Sequence, residues 1–174
     1  MAGGLPCAEV TFRTDAAAEA IEAMAGLDGL VVGAGTVLTP QQVDRAVDAG
    51  ARFVVSPGFS AAVVHRCAER GVPAFPGIIT PSELMMALDA GLETVKFFPA
   101  EQAGGVAMIK ALTAPFKTVR FIPTGGVNPG NVASYLAVPA VLAVGGTWMV
   151  PADALAARDW ARVTSLVSEA VTAV

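Results

Sequence analysis

Lys96 stands apart from the other charged residues because of what surrounds it. The stretch Glu93-Thr94-Val95-Lys96-Phe97-Phe98-Pro99-Ala100 places a single lysine between Val95 and two phenylalanines. Desolvation there disfavours the ammonium and lowers the lysine pKa. A neutral amine is the nucleophile that adds to a ketone to form a Schiff base. The same stretch also reads as a strand-end lysine whose stem packs on phenylalanine while its head reaches water. Glu9 and Arg13 lie on and just after the apolar segment Ala8-Glu9-Val10-Thr11-Phe12. They read either as a structural ion pair or as a general base and a clamp for a carboxylate, which an arginine fork binds bidentately. Thr36 follows Gly33-Ala34-Gly35, where missing side chains admit a ligand; it reads equally as a turn hydroxyl. Pro123-Thr124-Gly125-Gly126 and Gly145-Gly146-Thr147 each carry paired glycines. Such pairs expose backbone N–H groups to an anion, and helix starts expected nearby would add a favourable field. Ser56-Pro57-Gly58 and Gly77-Ile78-Ile79-Thr80 are, alone, turns.

Other chemistries are excluded. His65 is the single histidine and sits in a helical pattern from Ala61 to Arg70, so it reads as a surface residue. A His-based triad and a multi-histidine zinc site need more. Cys7 and Cys67 are too few for a disulfide framework or a thiolate metal site, which leaves reduced thiols and no metal. The net charge of -4 comes without any Lys/Arg cluster to follow a nucleic-acid backbone. The longest uncharged stretch, Phe121 to Ala152, is interrupted by Pro123, Pro129, Pro139 and two glycine pairs. It reads as buried strands and turns and not as a membrane span. Met1-Ala2-Gly3-Gly4-Leu5-Pro6 lacks a basic region followed by an apolar one, so no signal peptide is expected and the expected location is cytoplasmic.

The elements that must position these residues repeat one pattern. Short apolar runs end in Gly, Pro, Ser or Thr, and a helical segment follows each. The runs are Ala8–Phe12, Leu30–Gly35, Phe53–Ser56, Ala74–Ile78, Thr94–Phe98, Val119–Pro123 and Val141–Gly145. Helices are expected from Asp15 to Ala25, Gln41 to Ala49, Ser82 to Ala90 and Val106 to Leu112, and a last, longest one from Ala154 to about Ala173. Thr39-Pro40-Gln41-Gln42 and Thr80-Pro81-Ser82-Glu83 supply an N-cap threonine and a first-turn proline; Asn128-Pro129 opens a helix in the same manner. Gly50, Gly71 and Gly91 close helices. Runs without alternation are strands buried on both faces, hence a parallel sheet. Alternating βα units over 1–174 therefore predict one domain of α/β class, a TIM (β/α)8-type barrel; a doubly wound sheet comes second, because no G-x-G-x-x-G is present. The count is about seven units where a full barrel has eight, so one N-terminal βα unit is read as missing. In a barrel the C-terminal strand ends face the active site, and the loops after the last two strands are the customary phosphate site.

Taken in order, Glu9-Val10-Thr11-Phe12-Arg13-Thr14, Gly33-Ala34-Gly35-Thr36-Val37-Leu38, Ser56-Pro57-Gly58, Lys96-Phe97-Phe98-Pro99-Ala100, Pro123-Thr124-Gly125-Gly126-Val127 and Gly145-Gly146-Thr147-Trp148 resemble the 2-keto-3-deoxy-6-phosphogluconate (KDPG) and 4-hydroxy-2-oxoglutarate aldolase family. The resemblance implies a class I aldolase without a cofactor, acting on a small phosphorylated keto acid, and usually a homotrimer. It implies Lys96 as the Schiff-base lysine and Glu9 as the proton-transfer residue, with Thr124 near the reacting carbon. Arg13 and Thr36 would hold the pyruvyl carboxylate, and Gly125, Gly126, Gly146 and Thr147 the phosphate. Pro57 and Phe98 belong to the substrate-binding set it implies. The family carries serine where Thr147 stands, and has an N-terminal strand and helix that this chain lacks. Other readings are a 2-keto-3-deoxy-6-phosphogalactonate aldolase, a phosphate-binding isomerase or synthase on the same barrel, and an inactive barrel that only self-assembles.

Overall fold

The structure, a computed structural model, describes residues 1–172. It divides into two compact units, one over Pro6–Phe98 and one formed by Met1–Leu5 with the chain from Pro99 onward.

The first unit alternates strand and helix without exception: β1 Cys7–Thr11, α1 Ala17–Ala25, β2 Val31–Gly35, α2 Pro40–Asp48, β3 Val54–Ser56, α3 Ala61–Glu69, β4 Ala74–Ile78, α4 Pro81–Asp89 and β5 Thr94–Phe97. Each strand pairs in parallel with the next. The register sets Glu9 opposite Gly33, Thr11 opposite Gly35 and Gly77 opposite Lys96. β2 to β5 are buried along most of their length, as an apolar run without alternation requires. Their outer cover is made by single helix faces: Ile21 of α1, Val43 and Ala46 of α2, and Val63 and Cys67 of α3 pack with Val32, Ala34, Val54 and Ala74. The capping signals act where the sequence puts them. The Thr39 hydroxyl accepts from the Gln42 N–H at 3.2 Å. Thr80 and Glu83 form a reciprocal capping box ahead of α4. Gly50, Gly71 and Gly91 end α2, α3 and α4 with positive φ, the left-handed geometry that stops a helix.

The second unit holds α5 Gly105–Thr113, β6 Arg120–Pro123, α6 Val132–Leu136, α7 Ala152–Ala156 and α8 Trp160–Thr172. The chain is thus an α/β protein with parallel pairing. Three expectations change in this unit. Among the described residues there are six strands and not about seven. The run Val141–Gly145 makes only two isolated parallel bridges, Phe121 with Val141 and Thr124 with Gly145. Pro123 explains the gap: the ladder begins with the Phe121 N–H donating to Ala140 O and the Leu142 N–H to Phe121 O, and its next donor would be the N–H that proline lacks. The helix expected at Asn128-Pro129 begins later, at Val132 with Asn131 at its N-cap, because the Asn128 carboxamide is committed to the Gly130 N–H and to Gly126 O. The long last helix is two helices. Arg158 takes φ 53, and the Asp159 carboxylate accepts from the Arg162 N–H at 3.0 Å, restarting the helix as α8. Ala173, where that helix was expected to end, lies outside the described residues. Among the described residues no helix is long and apolar enough to cross a membrane.

Candidate active site

In the first unit, Lys96 occupies the third position of β5 and is 7% exposed, between Val95 and Phe97, both fully buried. Among the described residues it is the one charged side chain in the buried core. Its Nζ lies 4.8 Å from the centroid of the Phe98 ring. Burial pushes the amine below its ordinary pKa; the Glu9 carboxylate opposes that shift and the Arg13 guanidinium adds to it. The aromatic face also favours the ammonium, yet desolvation wins. The solvated reading of Lys96 therefore fails: the amine is buried and its ammonium disfavoured.

Glu9 projects from the middle of β1 toward β2, and Gly35 makes room for it. A methyl group on Gly35 would fall 1.7 Å from Glu9 Oε1. Gly33, two residues earlier, is covered in the same way by the Phe53 ring, whose Cε2 would lie 2.2 Å from such a methyl. Arg13 is exposed in the turn after β1, with its N–H donating to Thr11 O at 2.8 Å. Among the described residues Glu9 and Arg13 form no direct ion pair, and their common relation is to Lys96. Thr36 has φ 56, a left-handed backbone that β-branched residues avoid. Such strain persists where surrounding structure imposes it, commonly at functional sites. The Ser56-Pro57-Gly58 turn lies against β4: a methyl on Gly77 would fall 2.2 Å from the Pro57 oxygen, and Gly77 is the register partner of Lys96. Ser56 secures the turn by donating from Oγ to Gly58 O at 2.8 Å.

In the second unit, Thr124-Gly125-Gly126 follows β6. Gly125 and Gly126 take φ 94 and 81, so both positions suit glycine. Their carbonyls are committed. The Glu101 N–H donates to Gly125 O at 3.1 Å, and the side-chain amides of Asn128 and Asn131 both donate to Gly126 O at 3.0 Å. In a planar trans peptide the N–H points opposite to the C=O. The amides of Gly126 and Val127 are therefore held facing away from Glu101 and from the two asparagines. The bridge from Thr124 to Gly145 sets the second glycine pair beside the first. Trp148 lies over Gly146, and Thr147 is exposed. The helix N-termini expected to support these glycines are not adjacent: α6 begins six positions after Gly126 and α7 six after Gly146.

The sequence reading passed over several supports. The buried Tyr135 hydroxyl donates to Glu101 Oε1, and a methyl on Gly126 would fall 2.5 Å from Glu101 Cγ. A lone tyrosine in an apolar helix, whose hydroxyl must find a partner, was the available signal. Asn128 and Asn131, three apart after a Gly-Gly, were another. His65 is solvent-exposed and, among the described residues, pairs only with Glu69 on its own helix, as a surface residue.

A parallel α/β fold with a buried, pKa-depressed lysine on one strand and a carboxylate whose charge reaches it is the equipment of an enzyme working through an imine. Comparison with known proteins gives that class a family. The family model for KDPG and KHG aldolase matches residues 1–166. The 2-dehydro-3-deoxy-phosphogluconate aldolase of Treponema pallidum is 54% identical over 165 residues, covering 94% of this chain and 79% of the relative. The KHG/KDPG aldolase of Escherichia coli K12 is 50% identical, covering 98% and 81%. The crystal structure of the KDPG aldolase from Legionella pneumophila, with pyruvate captured at low pH as a covalent carbinolamine intermediate, superposes with a TM-score of 0.93 at 42% identity, covering 96% of this chain and 82% of that one. The chain belongs to the KDPG and KHG aldolase family.

Proposed function

We propose that this chain cleaves 2-keto-3-deoxy-6-phosphogluconate to pyruvate and glyceraldehyde 3-phosphate as a class I aldolase, with Lys96 as the nucleophile. The carrying observation is the buried, pKa-depressed amine of Lys96, coupled in charge to Glu9 and Arg13. The neutral amine adds to the C2 ketone, giving a carbinolamine that loses water to an iminium. Glu9, through a water molecule, takes the proton of the C4 hydroxyl as the C3–C4 bond breaks. The bonding pair moves into the iminium, which becomes an enamine, and the aldehyde leaves. A proton returned by Glu9 to C3 regenerates the iminium, and water releases pyruvate and the free lysine. The iminium supplies the electron sink, so the reaction calls for no Lewis acid. The covalent carbinolamine in the Legionella relative is the first adduct on this route.

Arg13 and Thr36 hold the pyruvyl carboxylate, Pro57 and Phe98 line the site, Thr124 serves the reacting carbon, and Gly125, Gly126, Gly146 and Thr147 receive the phosphate. The same machinery accepts 4-hydroxy-2-oxoglutarate, releasing pyruvate and glyoxylate. A single (β/α)8-type barrel domain over 1–174, a homotrimer and a cytoplasmic location complete the reading; the barrel rests on the alternating βα pattern as well as the family resemblance, the trimer on the resemblance, and the location on two cysteines too few for a disulfide framework. The test is to incubate the protein with pyruvate, reduce with borohydride and map the adduct. It is expected on Lys96. An adduct on Lys110 or Lys117, or none from folded protein, removes the proposal.

A further inference from the structure

We infer that Gly35 is a positioning residue for the acid–base step: its missing side chain is the space in which the Glu9 carboxylate is held. The inference rests on the aldolase reading and adds a residue to it.

Glu9 and Gly33 are register partners on β1 and β2, and Gly35 lies two residues further along the same strand. Side chains two apart on a strand share a face. The Phe53 ring fills the space over Gly33, and Glu9 leans diagonally along the same face into the space over Gly35. A methyl on Gly35 would stand 1.7 Å from Oε1, 2.4 Å from Cδ and 2.7 Å from Cγ of Glu9, and these are its three nearest atoms. The obstruction is to one flexible side chain and not to backbone. Glu9 is exposed, so its carboxylate has solvent to swing into. An alanine at 35 therefore leaves the strand in place and evicts the carboxylate. Lys96, on β5, takes no part in that contact, so imine formation and proton transfer should separate.

The experiment compares wild type, Gly35→Ala, Glu9→Ala and the double variant. Three quantities are measured: borohydride trapping of pyruvate, exchange of the pyruvate methyl protons with deuterated solvent, and retro-aldol turnover. Trapping of wild type on Lys96 tests the aldolase reading by itself. Given that, Gly35→Ala should still trap pyruvate on Lys96, with the amine's profile moved to lower pH as the Glu9 charge withdraws. It should lose methyl exchange and turnover by about 100-fold or more, the usual share of a general acid–base group. In the Glu9→Ala background the same change should alter turnover by no more than about twofold, as expected once the shared partner is gone. A merely structural glycine would cost the same factor in both backgrounds, and that result overturns the inference. Unchanged turnover in Gly35→Ala overturns it too, as does loss of trapping alongside exchange. Should Gly35→Ala alone fail to fold, the Glu9→Ala background decides, since it removes Cγ, Cδ and Oε1 together. Gly35→Ala added to Glu9→Ala should then fold and change turnover by no more than about twofold. A larger loss, or failure to fold in that background too, means that the space belongs to something other than Glu9.

Discussion

Tyr135, fully buried on α6, donates its hydroxyl to Glu101 Oε1, and the stem of that same glutamate lies under Gly126. The hydroxyl thereby fixes a carboxylate whose backbone N–H also holds Gly125 O. Burial, with the Glu101 charge, keeps the phenol above its ordinary pKa, so it stays a donor across the working range. Tyr135→Phe should cost about 1–2 kcal/mol of stability, the usual penalty for removing one partner of a buried hydrogen bond. It should also raise KM for phosphorylated substrates while leaving pyruvate trapping at Lys96 unchanged. Urea unfolding and parallel kinetics on phosphorylated and unphosphorylated keto acids check both.

The charges around Lys96 fix the sign of a pH experiment. The folded pKa is lowered, so the reactive amine appears as pH rises through a value below the ordinary lysine range. Glu9 raises that pKa and Arg13 lowers it. Glu9→Gln should therefore shift the reactivity profile to lower pH, and Arg13→Ala should shift it to higher pH. The rate of Lys96 modification by an amine reagent, followed against pH without substrate, reads the shift directly. The same sign applies to stability. Between the lowered pKa and the ordinary one the unfolded chain binds more protons, so this group adds stability as pH rises through that window. Profiles unmoved in both variants would remove both charges from the surroundings of the amine.

The pattern of buried runs and caps was readable because it is local. Thr39 and Thr80 cap the helices they precede, and Val32, Val54 and Val95 lie in buried strands because unbroken apolar runs have no solvent face. Lys96 was readable for the same reason, its apolar neighbours being adjacent in sequence. What was not readable depends on pairing across the chain. The loss of the seventh strand turns on Pro123 facing a run about twenty residues away, which no window around Val141 displays. The break before α8 was legible in Asp159-Trp160-Ala161-Arg162 as an N-cap, but a continuous apolar pattern hid it. The fit of Glu9 over Gly35 joins positions on two strands, and a glycine gives no sign in sequence of what occupies its empty side.

The two ends of the substrate should respond to different substitutions. Arg13→Ala removes a bidentate charged partner and should weaken the pyruvyl end by about 10- to 100-fold, the range of a charged hydrogen-bonded contact. Inhibition by inorganic phosphate should hardly move. Gly126→Ala sets a methyl 2.5 Å from Glu101 Cγ at a φ of 81, so it should displace the loop and do the reverse. Inhibition constants for pyruvate and phosphate on both variants decide. Equal weakening of both ligands by both changes would remove the assignment.

Thr36 offers a stability measurement that runs against habit. At φ 56 any side chain is strained, so Thr36→Gly should be more stable than Thr36→Ala by about 1 kcal/mol. Both should bind pyruvate more weakly than wild type, having lost the hydroxyl. Denaturant midpoints for the pair, together with pyruvate saturation curves, test strain and function separately.

Gly33 lies under Phe53, Gly35 under Glu9, Gly126 under Glu101 and Gly146 under Trp148. Each of these glycines is a vacancy already let to a neighbour, so each forms a unit of inheritance with its occupant. A lineage can enlarge position 146 only after the tryptophan at 148 has been cut back, because a methyl there would fall 1.7 Å from the ring. Where the occupant is a rigid ring, at 33 and 146, sequence change should therefore proceed in coupled steps, with the ring changing first. A scan of single substitutions would score both glycines as intolerant and would miss the pairs through which each can change.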